Sequence, residues 1–325
     1  MPLRVAFQMD PLEGIGIAGD STFALMLKAQ ELGHQLYHYL ADALTYADGR
    51  LYAGAHEVTV QRVTGDHFRL GEFKVLDLGA DIEVVMMRQD PPFDLGYITA
   101  THLLERILDE TLVVNDPAAV RNAPEKLWVL DFPQFMPPTA LTRSLGFARK
   151  FLEQHKEVVI KPLHGFAGGS VFRIGPDGRN LASLIELFNL TYREPHVIQK
   201  FLPEIAEGDK RIVLVDGEIA GAINRVPGEG EIRSNLAVGG TAAKTDLTAR
   251  EEDICAALAP ELKRRGLLFV GIDVIGGQWL TEINVTSPTG IVAIDKFNGT
   301  DTPGLIWQAI EARASVLTSA TRSKG

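Results

Sequence analysis

Short apolar runs alternate with amphipathic stretches over the first third of the chain. Leu3 to Met9 reads as a buried strand, and "HQLYHYL" (34–40) and "IEVVMMR" (82–88) as two more. Ser21 to Leu32 carries apolar residues at helical spacing and stops at Gly33, and "ITATHLLERILDE" (98–110) has the same texture. Strands separated by helices predict a parallel α/β domain up to about residue 120. Past "NDPAAVRNAPEKLWVLDF" the pattern changes. "EVVIKP", "VFRI", "HVIQKFL", "KRIVLVDGEIAGAINRV" and "LFVGIDVIGGQWLTEIN" read as strands joined by hairpin-like turns, so the second half is α+β and mostly antiparallel. Residues 226–246 form a long loop rich in glycine and small residues, a length more often functional than incidental.

Composition narrows the classes. The chain has 325 residues, is 46% hydrophobic and carries a formal charge of −10. The negative balance argues against nucleic acid or an anionic membrane as partner. No segment is long and apolar enough to span a bilayer, and the N-terminal run is too short for a signal sequence. A single cysteine, Cys255, permits no intrachain disulfide and no thiolate metal cluster; a reducing cytoplasm is the expected setting.

The sharpest chemistry lies in the last hairpin. Asp273 interrupts an apolar strand, where an unpaired acid is costly. Glu282 and Asn284, two apart, share a face of the next strand. Two carboxylates and an amide oxygen suit Mg²⁺, with positions left for water and phosphate, and this reading is favoured over a solvated strand face. Convergence on one cation requires Asp273 to pair with an even-numbered residue, Leu280 or Glu282. That demands an even loop around "GGQW", or an odd one corrected by a bulge.

Other candidates are weaker alone. In "VVIKPLHGFAGGS" a strand delivers Lys161, and Gly165, Gly168 and Gly169 allow backbone N–H groups to cover phosphates. Arg88 ends a strand, where it reads equally as a carboxylate clamp or as a surface arginine paired with Asp90. Arg211, Arg225 and Arg233 read singly as surface charge, but with Lys126 and Lys161 they can neutralise a triphosphate. "GIGIAG" (14–19) matches a dinucleotide fingerprint and keeps an oxidoreductase as the competing class. However, Asp10-Pro11-Leu12-Glu13 separates it from the strand, two acids lie beside it, and the helix starts after its third glycine at Asp20 or Ser21.

"MDP", "DSTFALM", "RQDPPFD", "VND", "NAPEKL", "VIKPL", "GDKR", "VDGE", "RSNLAVGG", "GLLFVGIDVIG" and "LTEINVTSPTG" together resemble the bacterial glutathione synthetases, ATP-grasp ligases, over essentially the whole chain. The resemblance implies an N-terminal α/β domain (1–121), a central ATP-grasp subdomain (122–203), a C-terminal subdomain (204–318) and a flexible tail (319–325). ATP would lie between two mainly antiparallel sheets. By position it makes Asp273, Glu282 and Asn284 ligands of Mg²⁺, with Mn²⁺ as a substitute, and Lys126, Lys161, the glycine loop and Asp209 contacts to ATP. Gln199, Lys200, Phe201 and Leu202 become the adenine hinge. Arg211, Arg225 and Arg233 face the transferring phosphate. Ser21, Phe23 and Arg88 lie near the dipeptide, and Arg233, Asn235, Gly239 and Gly240 belong to a mobile lid. Phe166 and Ala167 stand where the family is expected to carry small residues.

The reaction so implied joins γ-glutamylcysteine to glycine with ATP through an acyl phosphate, in a homotetramer or homodimer. Another ATP-grasp carboxylate–amine ligase would present the same metal and phosphate residues. Phosphoryl transfer needs positioning and charge neutralisation rather than a nucleophilic side chain, and no such serine, cysteine or histidine motif is present.

Overall fold

In a computed structural model, residues 2–165, 169–236 and 239–322 are described. Three sheets organise them. The first contains β1 (Arg4–Gln8), β2 (Gln35–Tyr39), β3 (Leu44–Ala47), β4 (Arg50–Val60), β5 (Phe68–Asp77), β6 (Val84–Met87) and β7 (Leu112–Val114), in the order β3-β4-β2-β1-β6-β7 with β5 on the outer side of β4. Strands β2, β1, β6 and β7 are parallel, with α1 (Ser21–Glu31) between β1 and β2, α2 (Leu95–Leu104) between β6 and β7, and α3 (Pro117–Arg121) following β7. The expected parallel core is present. The β4/β5 hairpin, which the sequence pattern leaves unassigned, adds an antiparallel flank. Its strands mix glycine, histidine and charge with apolar residues because only one of their faces is covered.

A four-stranded antiparallel sheet follows: β8 (Thr139–Thr142), β9 (Val158–Lys161), β10 (Phe172–Ile174) and β11 (His196–Lys200), ordered β10-β9-β11-β8. Helices α5 (Leu145–His155) and α6 (Leu181–Thr191) cover it through Phe151, Leu184, Ile185 and Phe188, which pack on Val158, Ile160 and Ile198. The short α4 (Glu125–Trp128) precedes this unit.

The third sheet is also antiparallel: β12 (Asp209–Val215), β13 (Glu218–Val226), β14 (Thr241–Ala243), β15 (Phe269–Ile275) and β16 (Trp279–Asn284), ordered β14-β13-β12-β15-β16. Helix α7 (Ala249–Arg265) enters it through a capping box between Thr248 and Glu251 and ends at Gly266 in the left-handed region. Helices α8 (Ile291–Asn298) and α9 (Thr302–Arg322) complete the chain. The helix α9 runs to Arg322, into the stretch expected as a tail, and returns to the first domain: fully buried Trp307 donates its indole N–H to the Leu25 carbonyl at 2.9 Å. Apolar side chains of the first and third sheets merge into shared cores, Tyr39, Leu51 and Met87 with Ile272, Leu280 and Ile283 among them. The second sheet has its own core. This division leaves a cleft between the second and third sheets.

Candidate active site

The last hairpin sets the floor of that cleft. Ile275 and Trp279 pair across a three-residue loop, Val274 pairs with Leu280, and Asp273 pairs with Glu282, so the ladder slips by one residue between Asp273 and Val274. The loop is odd and the bulge corrects it. Directly opposed residues share a face, so Asp273 and Glu282 point the same way, with the Asn284 amide 3.4 Å from Asp273.

Each carboxylate is already compensated by a cation. Arg211, on the neighbouring β12, donates to both oxygens of Asp273 at 2.6 and 3.1 Å, and Arg225 approaches it at 3.0 Å. Arg225 also donates to Asp209 at 2.6 Å. Lys161 and Lys126 lie 3.1 and 3.6 Å from Glu282. Burial pushes the Asp273 carboxyl up, but Arg211 and Arg225 outweigh it and hold it below the ordinary carboxylate range. Glu282 is likewise held down against its burial by Lys126 and Lys161. At Asp209 burial wins and the carboxyl is raised despite Arg225. Burial alone lowers the Arg225 guanidinium, yet Asp273 and Asp209 raise it. A site of alternating charges can exchange partners: phosphates can take the arginines and lysines while a cation takes the carboxylates. The donor set of two carboxylates and an amide is chemically apt for Mg²⁺. Among the described residues no group of three His, Cys, Asp or Glu side chains forms a competing metal cluster.

The cleft has a volume of about 350 Å³ and is lined by residues of both sheets. From the second come Val159, Lys161, Gly165, Gly169 and the run Gln199 to Leu202. Gln199 is fixed by a 2.8 Å bond to Thr139, and Arg173 stacks on Phe201 at 4.0 Å. Lys126 donates to the Gly165 carbonyl, tying α4 to the glycine loop. Gly168 lies outside the described residues, with Phe166 and Ala167.

Arg233 and Asn235 line the cleft from the long loop, where Arg233 is paired in two-pronged fashion with Glu231 at 2.9 and 3.1 Å. Gly239 and Gly240 do not line it. They fold the loop back on itself, and a side chain at Gly240 would stand 1.9 Å from the Ser234 carbonyl.

The dipeptide candidates separate. Ser21 is buried and its hydroxyl accepts from the Gly290 N–H at 3.1 Å beneath the cleft wall. Phe23 is a core side chain, edge-on to His67, and is not brought to the cleft, because it lies on the inward face of α1. Arg88 is not a surface residue paired with Asp90. It is buried, donates to Thr22 and to the Pro288 carbonyl at 3.0 Å, and keeps one buried nitrogen without a partner. Asp90 instead accepts from Ser287 at 2.9 Å.

Sequence reasoning missed the loop that follows β16. All six of its residues, Val285 to Gly290, are held by a different side chain: Asn115, Glu125, Asp90, Arg88, Arg211 and Ser21 in turn, four of them buried. Five of the six, Thr286 to Gly290, line the cleft. The Glu125 carboxyl, raised by burial, stands beside Lys126. "VND", "NAPEKL" and "RQDPPFD" contain four of the six anchoring groups, but nothing in their local pattern says where they reach.

"GIGIAG" takes no part. A side chain at Gly14, Gly16 or Gly19 would meet nothing within 4 Å, so no close backbone approach calls for glycine there, and α1 begins after it with Asp20 as N-cap.

A family model described as prokaryotic glutathione synthetase, N-terminal domain, matches residues 3–121, and one described as the ATP-grasp domain of the same family matches residues 125–299. A glutathione synthetase of Bradyrhizobium diazoefficiens is 56% identical, over 96% of this chain and 99% of its own length. One from Synechocystis sp. is 43% identical over 91% and 95%. Among solved structures, the D-cycloserine synthetase DcsG aligns with a TM-score of 0.64 at 17% identity, covering 96% of this chain and 99% of its own. The ATP-grasp ligase PsnB, complexed with a minimal precursor, Mg and ADP, aligns at 0.60 and 16%, covering 96% and 98%. At such identities these two speak for the fold.

Proposed function

The chain belongs to the prokaryotic glutathione synthetases, ATP-dependent carbon–nitrogen ligases that make glutathione, and on that premise we propose how its residues divide the work. The substrates are γ-glutamylcysteine, glycine and ATP, handled in the cytoplasm by a homo-oligomer, a dimer or a tetramer. Among the described residues no helix is long and apolar enough to cross a membrane.

One observation carries the reading: Asp273 and Glu282, opposed in register, are each held by cations that also line the cleft. Arg211, Arg225, Lys126 and Lys161 bind and orient the triphosphate, and Gln199 to Leu202 bound the space for its base. The dipeptide carboxylate oxygen bonds to the γ-phosphorus as the bond to ADP breaks. The glycine nitrogen then bonds to the acyl carbon, phosphate leaves with the C–O electron pair, and the amine gives up a proton. Asp273, Glu282 and Asn284 would hold Mg²⁺, which supplies charge neutralisation at the phosphates. The long loop that carries Arg233 shields the acyl phosphate from water.

The test measures ADP and glutathione with γ-glutamylcysteine present and glycine added or omitted. Glycine-dependent formation of both is expected. ADP release with another acceptor but none with glycine would make the chain a ligase of different specificity.

A further inference from the structure

The β5 strand is the outer edge of the first sheet, ten residues long, with no partner beyond β4 among the described residues. Such an edge presents a row of unpaired backbone groups. Solitary edges are usually blunted by charge, but this one also exposes apolar side chains: Leu70 at 44%, Phe73 at 57% and Val75 at 67%. The Phe73 ring lies over Gly54 and against His56 of β4, centroids 5.2 Å apart, which extends the apolar surface inward from the edge.

We propose that β5 is the contact through which two copies of this chain associate, paired antiparallel about a twofold axis at Phe73. Charge supports this occupant and this register. The strand reads Phe68-Arg69-Leu70-Gly71-Glu72-Phe73-Lys74-Val75-Leu76-Asp77, with two charges of each sign in a chain that is strongly acidic overall. A twofold contact makes residue i meet j and j meet i. Centred on Phe73, it sets Glu72 opposite Lys74 twice, with Phe73 on Phe73 and the small Gly71 facing Val75, and it brings Arg69 to Asp77, which Arg50 of its own chain already holds. Centred on Glu72, it opposes two glutamates; centred between Gly71 and Glu72, it sets Arg69 against Lys74. Within one chain Glu72 and Lys74 reach only 3.5 Å, and both remain exposed enough to turn to a partner. Opposed residues share a face, so Phe73 and Val75 of both copies form one apolar patch.

The inference rests on the homo-oligomer reading above and adds the surface and the register. Light scattering and sedimentation of the full chain, with ligation activity measured alongside as a check on folding, test it. The wild type should be a dimer or larger. Phe73→Asp, Glu72→Lys and Lys74→Glu should each remove one step of assembly, with the dissociation constant raised roughly tenfold to a hundredfold, because each charge reversal creates two like-charge pairs. The double reversal Glu72→Lys with Lys74→Glu should restore it. A monomeric wild type would overturn both the oligomer reading and this one. An oligomer indifferent to all three single variants would overturn the β5 contact alone, and a double variant no better than its parents would overturn the register.

Discussion

Replacing Asp273 by asparagine keeps the side chain's shape and removes its charge. Arg211 and Arg225 would then be buried with Asp209 as the one remaining carboxylate among their bonded partners. At separations of 2.6 and 3.0 Å, each arginine gains roughly 5–6 kcal/mol from Asp273 if the effective dielectric is near 20. Much of that offsets desolvation, so the net loss should be about 3–5 kcal/mol, the range seen when one partner of a buried pair is removed. Urea unfolding in buffer without metal or nucleotide should show a lower midpoint at unchanged slope. Asn284→Ala, which removes a 3.4 Å contact but no charge, should cost only about 1 kcal/mol. Added ATP without metal should narrow the Asp273→Asn gap, since its phosphates would supply the missing anion. If Asp273→Asn unfolds within about 0.5 kcal/mol of the parent, the arginines do not depend on Asp273 and the partner-exchange reading fails.

Three further outcomes are expected. Lys161→Met should raise the ATP KM or lower kcat roughly tenfold to a hundredfold, and unchanged ATP kinetics would return this lysine to a structural pairing with Glu282. His34 is buried beside Trp307, accepts from the Leu3 N–H at 3.2 Å, and is lowered chiefly by burial against the pull of Glu311. The unfolded chain therefore binds the proton first, so stability should fall as pH drops below about 6.5 toward the lowered value. His34→Asn should flatten that part of the stability–pH curve, and an unchanged slope would assign it to other groups. Cleavage within residues 226–246 should raise glycine-independent ATP hydrolysis relative to ligation, and a clipped enzyme that ligates normally would make the loop a mere connector.

What could be read from the sequence follows from the range of the forces involved. The strand runs around Lys161, Arg211 and Asp273 are visible because burial on both faces leaves long apolar stretches, and an acid inside one stands out. The hairpin's constraint is legible as a requirement, an even loop or an odd one with a bulge, but neither the odd loop that forms nor the choice of Glu282 over Leu280 can be read from the residues. The β4/β5 hairpin was not legible, since its half-covered strands carry no clean alternation. The resemblance puts Phe23 near the dipeptide, but a matched position does not say which helix face turns inward, and this side chain lies in the core. Nearness in sequence makes Arg88 and Asp90 candidate partners of each other, whereas each is committed to a loop about 200 residues away. No local periodicity encodes such a contact.

The loop from Val285 to Gly290 has a temporal consequence. Its anchors lie between 78 and 269 residues away in the chain, with Ser21 the most distant. At ribosomal rates of roughly 5–20 residues per second, Ser21 emerges on the order of 10–50 s before Gly290 exists to meet it. During that interval the nascent first domain holds Arg88, Asp90 and Asn115 without the partners that the loop supplies in the finished protein. The cleft wall is therefore among the last parts of the enzyme to be assembled during synthesis, and a truncated product of translation would carry most of the fold without the surface on which the chemistry takes place.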